Sequence, residues 1–170
     1  MVAVKSGSPE FEAAEFNAGQ QNQIALKVNQ DVMLLIDEDR IVQALSNIMN
    51  NAVKFTMEGQ ITVEANVSAD RKLFEVRISD TGPGIPADLL PKLFTKFSPK
   101  TTGAEANKAG TGLGLFIAKS IIQAHGGHVY VGNNEEKGVT FVVSLPINDA
   151  TVGQVSLRDL SNNSRSAVAT

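Results

Sequence analysis

The chain has 170 residues, 42% of them hydrophobic, no cysteine and a formal net charge of −3. That is enough apolar material for one compact domain, and the mixed charges leave no basic footprint for nucleic acid or an anionic membrane. Disulfides and thiolate metal sites are excluded, no apolar run reaches the ~20 residues of a membrane-spanning helix, and with His125 and His128 as the only histidines any metal is expected to be a hard, oxygen-bound ion.

Gly7, Ser8, Pro9, Glu10 and Phe11 look like the remnant of a cloning site, so residues 1–15 are set aside as a vector-derived or flexible leader. Residues 24–28 and 32–36 read as two short strands joined by a turn at Asn29, Gln30 and Asp31. Asp37 is placed to cap a helix over 38–55, in which Ile41, Leu45, Ile48, Ala52 and Phe55 make one apolar stripe, widened by Val42, Met49 and Val53. Residues 60–67 and 73–79 each alternate apolar and polar, which predicts a hairpin turning at 68–71. After Thr81, Gly82, Pro83 and Gly84 a short helix is expected over 87–94, followed by a long stretch without period up to Ala109. Leu113, Phe116, Ile117, Ile121 and Ala124 mark the buried stripe of a further helix, ended by Gly126 and Gly127, one of them in a left-handed cap. Strands over 128–131 and 139–145 complete a domain spanning 16–149, and residues 150–170 read as a flexible tail. The pattern is one sheet covered by helices, an α+β sandwich.

Three features carry chemistry. On the helix over 38–55, Asn47, Asn51 and Lys54 fall together at the flank of the apolar stripe, whereas Asn50 points to solvent. Amide oxygens are hard ligands and lysine is a point-charge partner for phosphate, so the row suits a polyphosphate with Mg²⁺; a plain solvated helix face has the same pattern. Asp80 shares the parity of Phe74, Val76 and Ile78 and therefore enters the core, where a carboxylate needs donors such as the exocyclic amine of a flat apolar ring. Gly82 and Gly84 let backbone approach that ring, although the same residues are also ordinary turn chemistry. Gly110, Thr111, Gly112, Leu113, Gly114 and Leu115 open an amphipathic helix, and unobstructed amides at a helix N-terminus cradle phosphate; a tight helix start would use the same glycines. The spacing fits neither the dinucleotide fingerprint nor a Walker loop.

Taken in order, Asn47-x-x-x-Asn51-Ala52-x-Lys54-Phe55-Thr56, Asp80-x-Gly82-x-Gly84-Ile85, Phe94-x-x-Phe97 and Gly110-Thr111-Gly112-Leu113-Gly114-Leu115 resemble the four boxes of the ATP-binding catalytic domain of sensor histidine kinases. Asp37-Glu38-Asp39-Arg40, Ala124-His125-Gly126-Gly127 and Gly138-Val139-Thr140-Phe141 add to the likeness, which covers residues 20–147. The resemblance implies the Bergerat ATP-binding fold, a two-layer sandwich of a mixed β-sheet and about three α-helices, shared with chaperone, mismatch-repair and type II topoisomerase ATPases. It implies that Asp80 binds the adenine amine with Thr140 near it through water, and that Gly82, Gly84 and Ile85 shape the base pocket. Asn51 is implied as the Mg²⁺ ligand, with Asn47 and Lys54 by the phosphates and the 110–115 glycine box wrapped around them. Residues 98–109 are implied to be an ATP lid rooted on Phe94 and Phe97, with Lys100 ahead of Lys108 as its phosphate contact. Pro99 stands where many family members carry an arginine, a departure from the pattern at that contact.

By the same resemblance the chain transfers the γ-phosphate of ATP to a histidine on a separate dimerisation domain of its parent kinase, for delivery to a response regulator receiver domain. Related ATPases place a water-activating glutamate where this chain has Asn47, and an amide does not take a proton at neutral pH, which favours transfer over hydrolysis. His125 precedes two glycines and His128 begins a strand, so both are expected to be structural and neither to be the phosphoacceptor. The domain is expected to be monomeric, cytoplasmic and without nucleic-acid partners. Two alternatives share the pattern: an anti-sigma-type serine kinase, against which the Phe94-x-x-Phe97 box and the long lid argue, and a nucleotide-binding interaction module without catalysis.

Overall fold

The computed structural model describes residues 2–4, 21–28, 32–96 and 112–147. Among them are seven strands and two α-helices: β1 (Val2–Val4), β2 (Gln21–Val28), β3 (Val32–Leu34), α1 (Glu38–Phe55), β4 (Glu58–Val67), β5 (Leu73–Asp80), α2 (Gly114–Ala124), β6 (His128–Asn133) and β7 (Val139–Pro146). Five strands form one mixed sheet in the order β2-β4-β5-β7-β6, in which β2 and β4 run parallel and every other pair is antiparallel. The segments expected at 24–28 and 32–36 do not pair with each other. Between β2 and β4 the chain passes through β3 and α1, the kind of crossover that parallel pairing demands. Strand β3 instead pairs antiparallel with β1, so residues 2–4, set aside above with the leader, take part in a small second sheet.

Helix α1 begins where the sequence places it, because the Asp37 side chain accepts a hydrogen bond from the Arg40 amide at 3.1 Å. Its fully buried residues are Ile41, Ala44, Ile48 and Ala52, a stripe rotated slightly from the expected one toward the flank that carries Asn47. Val42, expected to widen the stripe, is 55% exposed. The rotation follows from α2, which packs beside α1 as well as on the sheet. In α2 the buried positions are Ala118 and Ile122, with Leu115 and Ile121 packed against the core, whereas Leu113, Phe116 and Ile117 are half-buried and Ala124 is exposed. The expected stripe was out of phase because this helix has apolar residues on most of its circumference, so periodicity alone did not single out a face.

The α2 C-terminus is a Schellman arrangement. Gly127 N donates to Ile122 O at 2.9 Å, Gly126 N donates to Gln123 O at 3.0 Å, and Gly126 takes φ +72°. No third α-helix forms over 87–94. The segment is a run of turns around a single 3₁₀ turn at Leu90–Lys92. Pro91 lacks an amide donor, and its ring would meet the carbonyl four residues back in an α-helix.

Strand parity sorts the sheet. Ile61, Phe74, Val76, Ile78, Phe141 and Val143 face the helices and are buried. On the opposite face, register aligns Lys27, Glu64, Arg77, Val142 and Tyr130 in one row across all five strands. That face carries a Lys27–Glu64 ion pair at 3.1 Å. Asp80, at the last position of β5, is the charged residue that the parity sends to the helix side.

Candidate functional site

Asp80 is 6% exposed. Gly82 N donates to its Oδ1 at 2.8 Å and Val139 N donates to the same atom at 3.3 Å. Among the described residues Oδ2 receives no hydrogen bond, so the carboxylate keeps one oxygen for an outside donor. Burial raises its pKa above the ordinary carboxylate value, and the two backbone donors pull against that rise. A Cβ on Gly82 would stand 2.9 Å from Oδ1 and 3.3 Å from the Phe55 carbonyl, which is why the first residue past the strand able to reach Asp80 is a glycine.

The turn between β6 and β7 supports this corner, and the sequence had not pointed to it. Asn134 Nδ2 donates to the Asp80 carbonyl at 3.0 Å. The Asn133 side chain pairs with the backbone of Ile85, accepting from its N–H at 2.8 Å and donating to its C=O at 2.7 Å. Gly138, at φ +93°, lies so close that a Cβ would come within 1.8 Å of the Asp80 carbonyl oxygen. Two adjacent asparagines in a turn ordinarily signal only the turn itself; nothing in one dimension says which distant backbone they grip.

Thr140 is not beside the Asp80 carboxylate. Opposite residues of an antiparallel pair share a face, and Thr140 faces Ser79, not Asp80. Its hydroxyl donates to Asn134 Oδ1 at 2.6 Å and lies 2.8 Å from Ser79 Oγ, on the outer side of the sheet. The residue at Asp80 is Val139, which contributes a backbone amide. The signal was in the sequence: Val139, Phe141, Val143 and Leu145 are one apolar face of β7, which leaves Thr140 on the other.

Asn47 and Asn51 lie half-buried on the α1 flank and Asn50 is exposed, as the wheel requires. Asn51 Nδ2 donates to the Asn47 carbonyl at 2.9 Å, and among the described residues Oδ1 of Asn51, a hard oxygen, has no hydrogen-bond partner. Gly114, the first residue of α2, backs onto the Asn47 side chain, where a Cβ would be 3.5 Å from Asn47 Oδ1. The helix N-terminus at Gly114 and Leu115 and the asparagine row are therefore neighbours. No side chain caps α2, Gly112 adopts φ +70° before it, and Leu113 is its half-buried N-cap. The Lys54 ammonium sits 4.9 Å above the Phe55 ring. Among the described residues no cluster of histidine or carboxylate side chains could hold a metal, so a Mg²⁺ ion in this corner would take amide oxygen such as Asn51 Oδ1 and complete its shell with phosphate oxygens.

Phe97, Lys100, Gly110 and Thr111, and with them the expected lid over 98–109, lie outside the described residues. Flanking them, Phe94 packs edge-on against Phe141 at 6.4 Å, Lys119 lies over Phe94 at 5.6 Å and Lys96 over Phe116 at 5.3 Å. Both ring nitrogens of His125 are engaged. Nε2 accepts from Asp37 N at 3.1 Å, so the neutral ring carries its proton on Nδ1 and donates it to the Ile121 carbonyl at 2.8 Å. His128 stacks on Tyr130. An open recess of about 410 Å³ lies beside the loop, lined by Pro83, Ile85, Pro86, Asn134 and Lys137. Asp80 is not among its lining residues.

A mixed sheet with helices on one face, a buried aspartate at a strand end and a glycine-opened helix beside an asparagine row define a domain of the Bergerat fold class. The chain belongs to the family of histidine kinase-, DNA gyrase B-, and HSP90-like ATPases, which it matches over residues 36–149. Its relatives are sensor histidine kinases. It is 38% identical over 119 residues to the sensor histidine kinase WalK of Bacillus subtilis (strain 168), covering 69% of this chain and 20% of WalK. It is 41% identical over 113 residues to the sensor protein SrrB of Staphylococcus aureus (strain NCTC 8325 / PS 47), covering 65% of this chain and 19% of SrrB. The chain thus spans about a fifth of these relatives. Among solved structures, the catalytic domain of histidine kinase ThkA in a nucleotide-free form matches with a TM-score of 0.62 at 31% identity, over 74% of this chain and 80% of that one. Full-length ShkA in complex with AMPPNP matches with a TM-score of 0.60 at 33% identity, over 74% of this chain and 25% of ShkA. No helix among the described residues is long and apolar enough to cross a membrane.

Proposed function

We propose that the chain binds Mg-ATP and transfers the γ-phosphate to a histidine on a separate dimerisation domain of its parent kinase. The observation that carries the reading is the Asp80 carboxylate, buried, held through Oδ1 and open at Oδ2 to the amine of an adenine ring. A buried carboxylate is costly unless its remaining acceptor is used, and the 6-amino group is a donor of the right kind on a flat apolar body. Gly82, Gly84 and Ile85 would border the ring, and the Val139 amide, rather than the Thr140 hydroxyl, would support the Asp80 carboxylate. That the ShkA structure holds AMPPNP supports the assignment.

Asn47, Asn51, Lys54 and the amides at Gly112, Leu113, Gly114 and Leu115 would surround the triphosphate, with Gly110, Thr111, Phe97 and Lys100 supplying the remainder of the pocket. Bound at Asn51, Mg²⁺ would neutralise charge that builds on the phosphate oxygens. Phosphoryl transfer asks the protein mainly for position and charge, which amides and a lysine provide. Asn47, whose side chain lies against Gly114, presents an amide, which takes no proton from water at neutral pH. The incoming nucleophile is then an imidazole from the partner domain, and the phosphohistidine passes its phosphate to a response regulator. We place the functional domain at 16–149, on the cytoplasmic side where ATP is found.

Incubation with radiolabelled ATP, Mg²⁺ and the dimerisation hairpin of the parent protein tests this. Label on the hairpin, stable to base and labile to acid, is the expected result. Steady release of free phosphate with an unlabelled hairpin would show an ATPase and overturn the reading.

A further inference from the structure

The ATP-binding reading leaves open what fixes the loop over residues 80–85, because Asp80-x-Gly82-x-Gly84-Ile85 contains two glycines and no internal hydrogen bond except that of Gly82 to Asp80. Loops of this composition sample many conformations, and a base pocket needs one. Both ends of the segment are gripped from outside by two consecutive side chains, that of Asn133 at the end of β6 and that of Asn134 at the start of the turn after it. At its start, Asn134 donates to the Asp80 carbonyl at 3.0 Å and to the Lys137 carbonyl at 3.2 Å. At its end, the Asn133 amide makes a two-bond pair with the Ile85 N–H and C=O, at 2.8 and 2.7 Å, as a neighbouring strand would. The Asn134 grip is itself fixed, since its Oδ1 accepts from Thr140 at 2.6 Å and its backbone N donates to the Gly138 carbonyl at 3.0 Å.

Resting on the ATP reading, we propose that Asn133 and Asn134 are positioning residues for the base pocket. They hold the 80–85 loop at the distance from Asp80 that reads the 6-amino group of adenine. The geometry is specific to the side-chain amide. Asn133 must both accept and donate, which an alanine does not do and an aspartate does only by half. Neither residue is assigned contact with the nucleotide, so the effect is on selectivity through the loop.

The test is a ratio, the affinity for Mg-AMPPNP divided by that for the Mg-bound inosine triphosphate analogue, which carries an oxygen in place of the amine. Because both ligands are titrated into the same protein, partial unfolding lowers both affinities and leaves the ratio unchanged. The parent should prefer the adenine ligand, and Asp80→Asn should abolish the preference. Asn133→Ala and Asn134→Ala should each lower the ratio by about three- to tenfold, the worth of one or two hydrogen bonds. Asn133→Asp, which keeps the acceptor for the Ile85 amide, should fall between Asn133→Ala and the parent. Unchanged ratios in both alanine variants, with Asp80→Asn still unselective, would overturn the positioning role and leave the ATP reading standing. A parent without preference would remove the base assignment of Asp80 itself, and the positioning role with it.

Discussion

Replacing Gly138 by alanine perturbs the site without touching a functional side chain. Gly138 is buried at φ +93°, and a Cβ there would come within 1.8 Å of the Asp80 carbonyl oxygen, 2.6 Å of its carbon and 2.9 Å of Thr81 Cα. All three are backbone atoms of the strand end that carries the aspartate, so no flexible side chain can give way. A positive φ costs a non-glycine residue about 1–2 kcal/mol, and forcing an extra methyl into packed backbone costs a further ~1–3 kcal/mol. The sum, about 2–5 kcal/mol, is a large part of the stability of a small domain. Gly132 is the internal control, six residues away on β6, with no atom within 4 Å of a built Cβ and no left-handed backbone. Gly132→Ala should be neutral or stabilise by up to ~1 kcal/mol, since glycine is a poor strand residue. Urea denaturation of the two variants beside the parent measures both. A Gly138→Ala midpoint equivalent to less than ~0.5 kcal/mol of destabilisation would refute the reasoning, because surface-like tolerance is incompatible with that contact.

Asp80→Asn should separate stability from binding. The amide keeps the Oδ1 acceptor for Gly82 and Val139 and removes a buried charge, so the variant should melt no lower than the parent at neutral pH while losing nucleotide affinity. Because burial holds the Asp80 pKa above the ordinary value, the contribution of this group to stability is complete below that value and is lost as pH rises through the raised one. Chemical denaturation from about pH 4 to neutrality should therefore show a decline in the parent that Asp80→Asn lacks; the same slope in both would contradict the burial argument. Asn51→Ala should weaken Mg-nucleotide binding about tenfold or more, ~1.4 kcal/mol, with Asn50→Ala within twofold of the parent; equal losses by calorimetry would show the helix faces to be misplaced. His125→Phe removes the bonds to Asp37 N and Ile121 O and should cost ~1–3 kcal/mol in thermal or urea unfolding, with nucleotide affinity retained once the protein is folded.

What the sequence disclosed follows a physical division. Helix α1 was legible to the residue because Asp37 caps it locally, and the inward turn of Asp80 was legible because strand parity is rigid. Pairing between distant strands was not. Residues 21–28 run parallel to β4 across a helix, and no local signal distinguishes that from a hairpin with 32–34. The phase of α2 was lost because Leu113, Leu115, Phe116 and Ile117 surround the helix with apolar surface, and only packing chooses Ala118 and Ile122. At the site, the alternation of β7 sets Thr140 on the outer face beside Ser79, a placement that the likeness of a motif does not carry. Asn133 and Asn134 were invisible for a different reason, since their partners lie 48 and 54 residues away.

The most direct test of the nucleotide site is a backbone amide shift map, recorded as Mg-AMPPNP is added to the isotope-labelled protein. The largest changes should fall on Gly82 and Val139, whose amides hold Asp80, and on Gly114 and Leu115 at the α2 N-terminus, while Glu64, Arg77, Val142 and Tyr130 on the outer sheet face stay unmoved. Changes confined to that outer face, or to Glu136 and Lys137 beside the open recess, would contradict the account and place the ligand elsewhere.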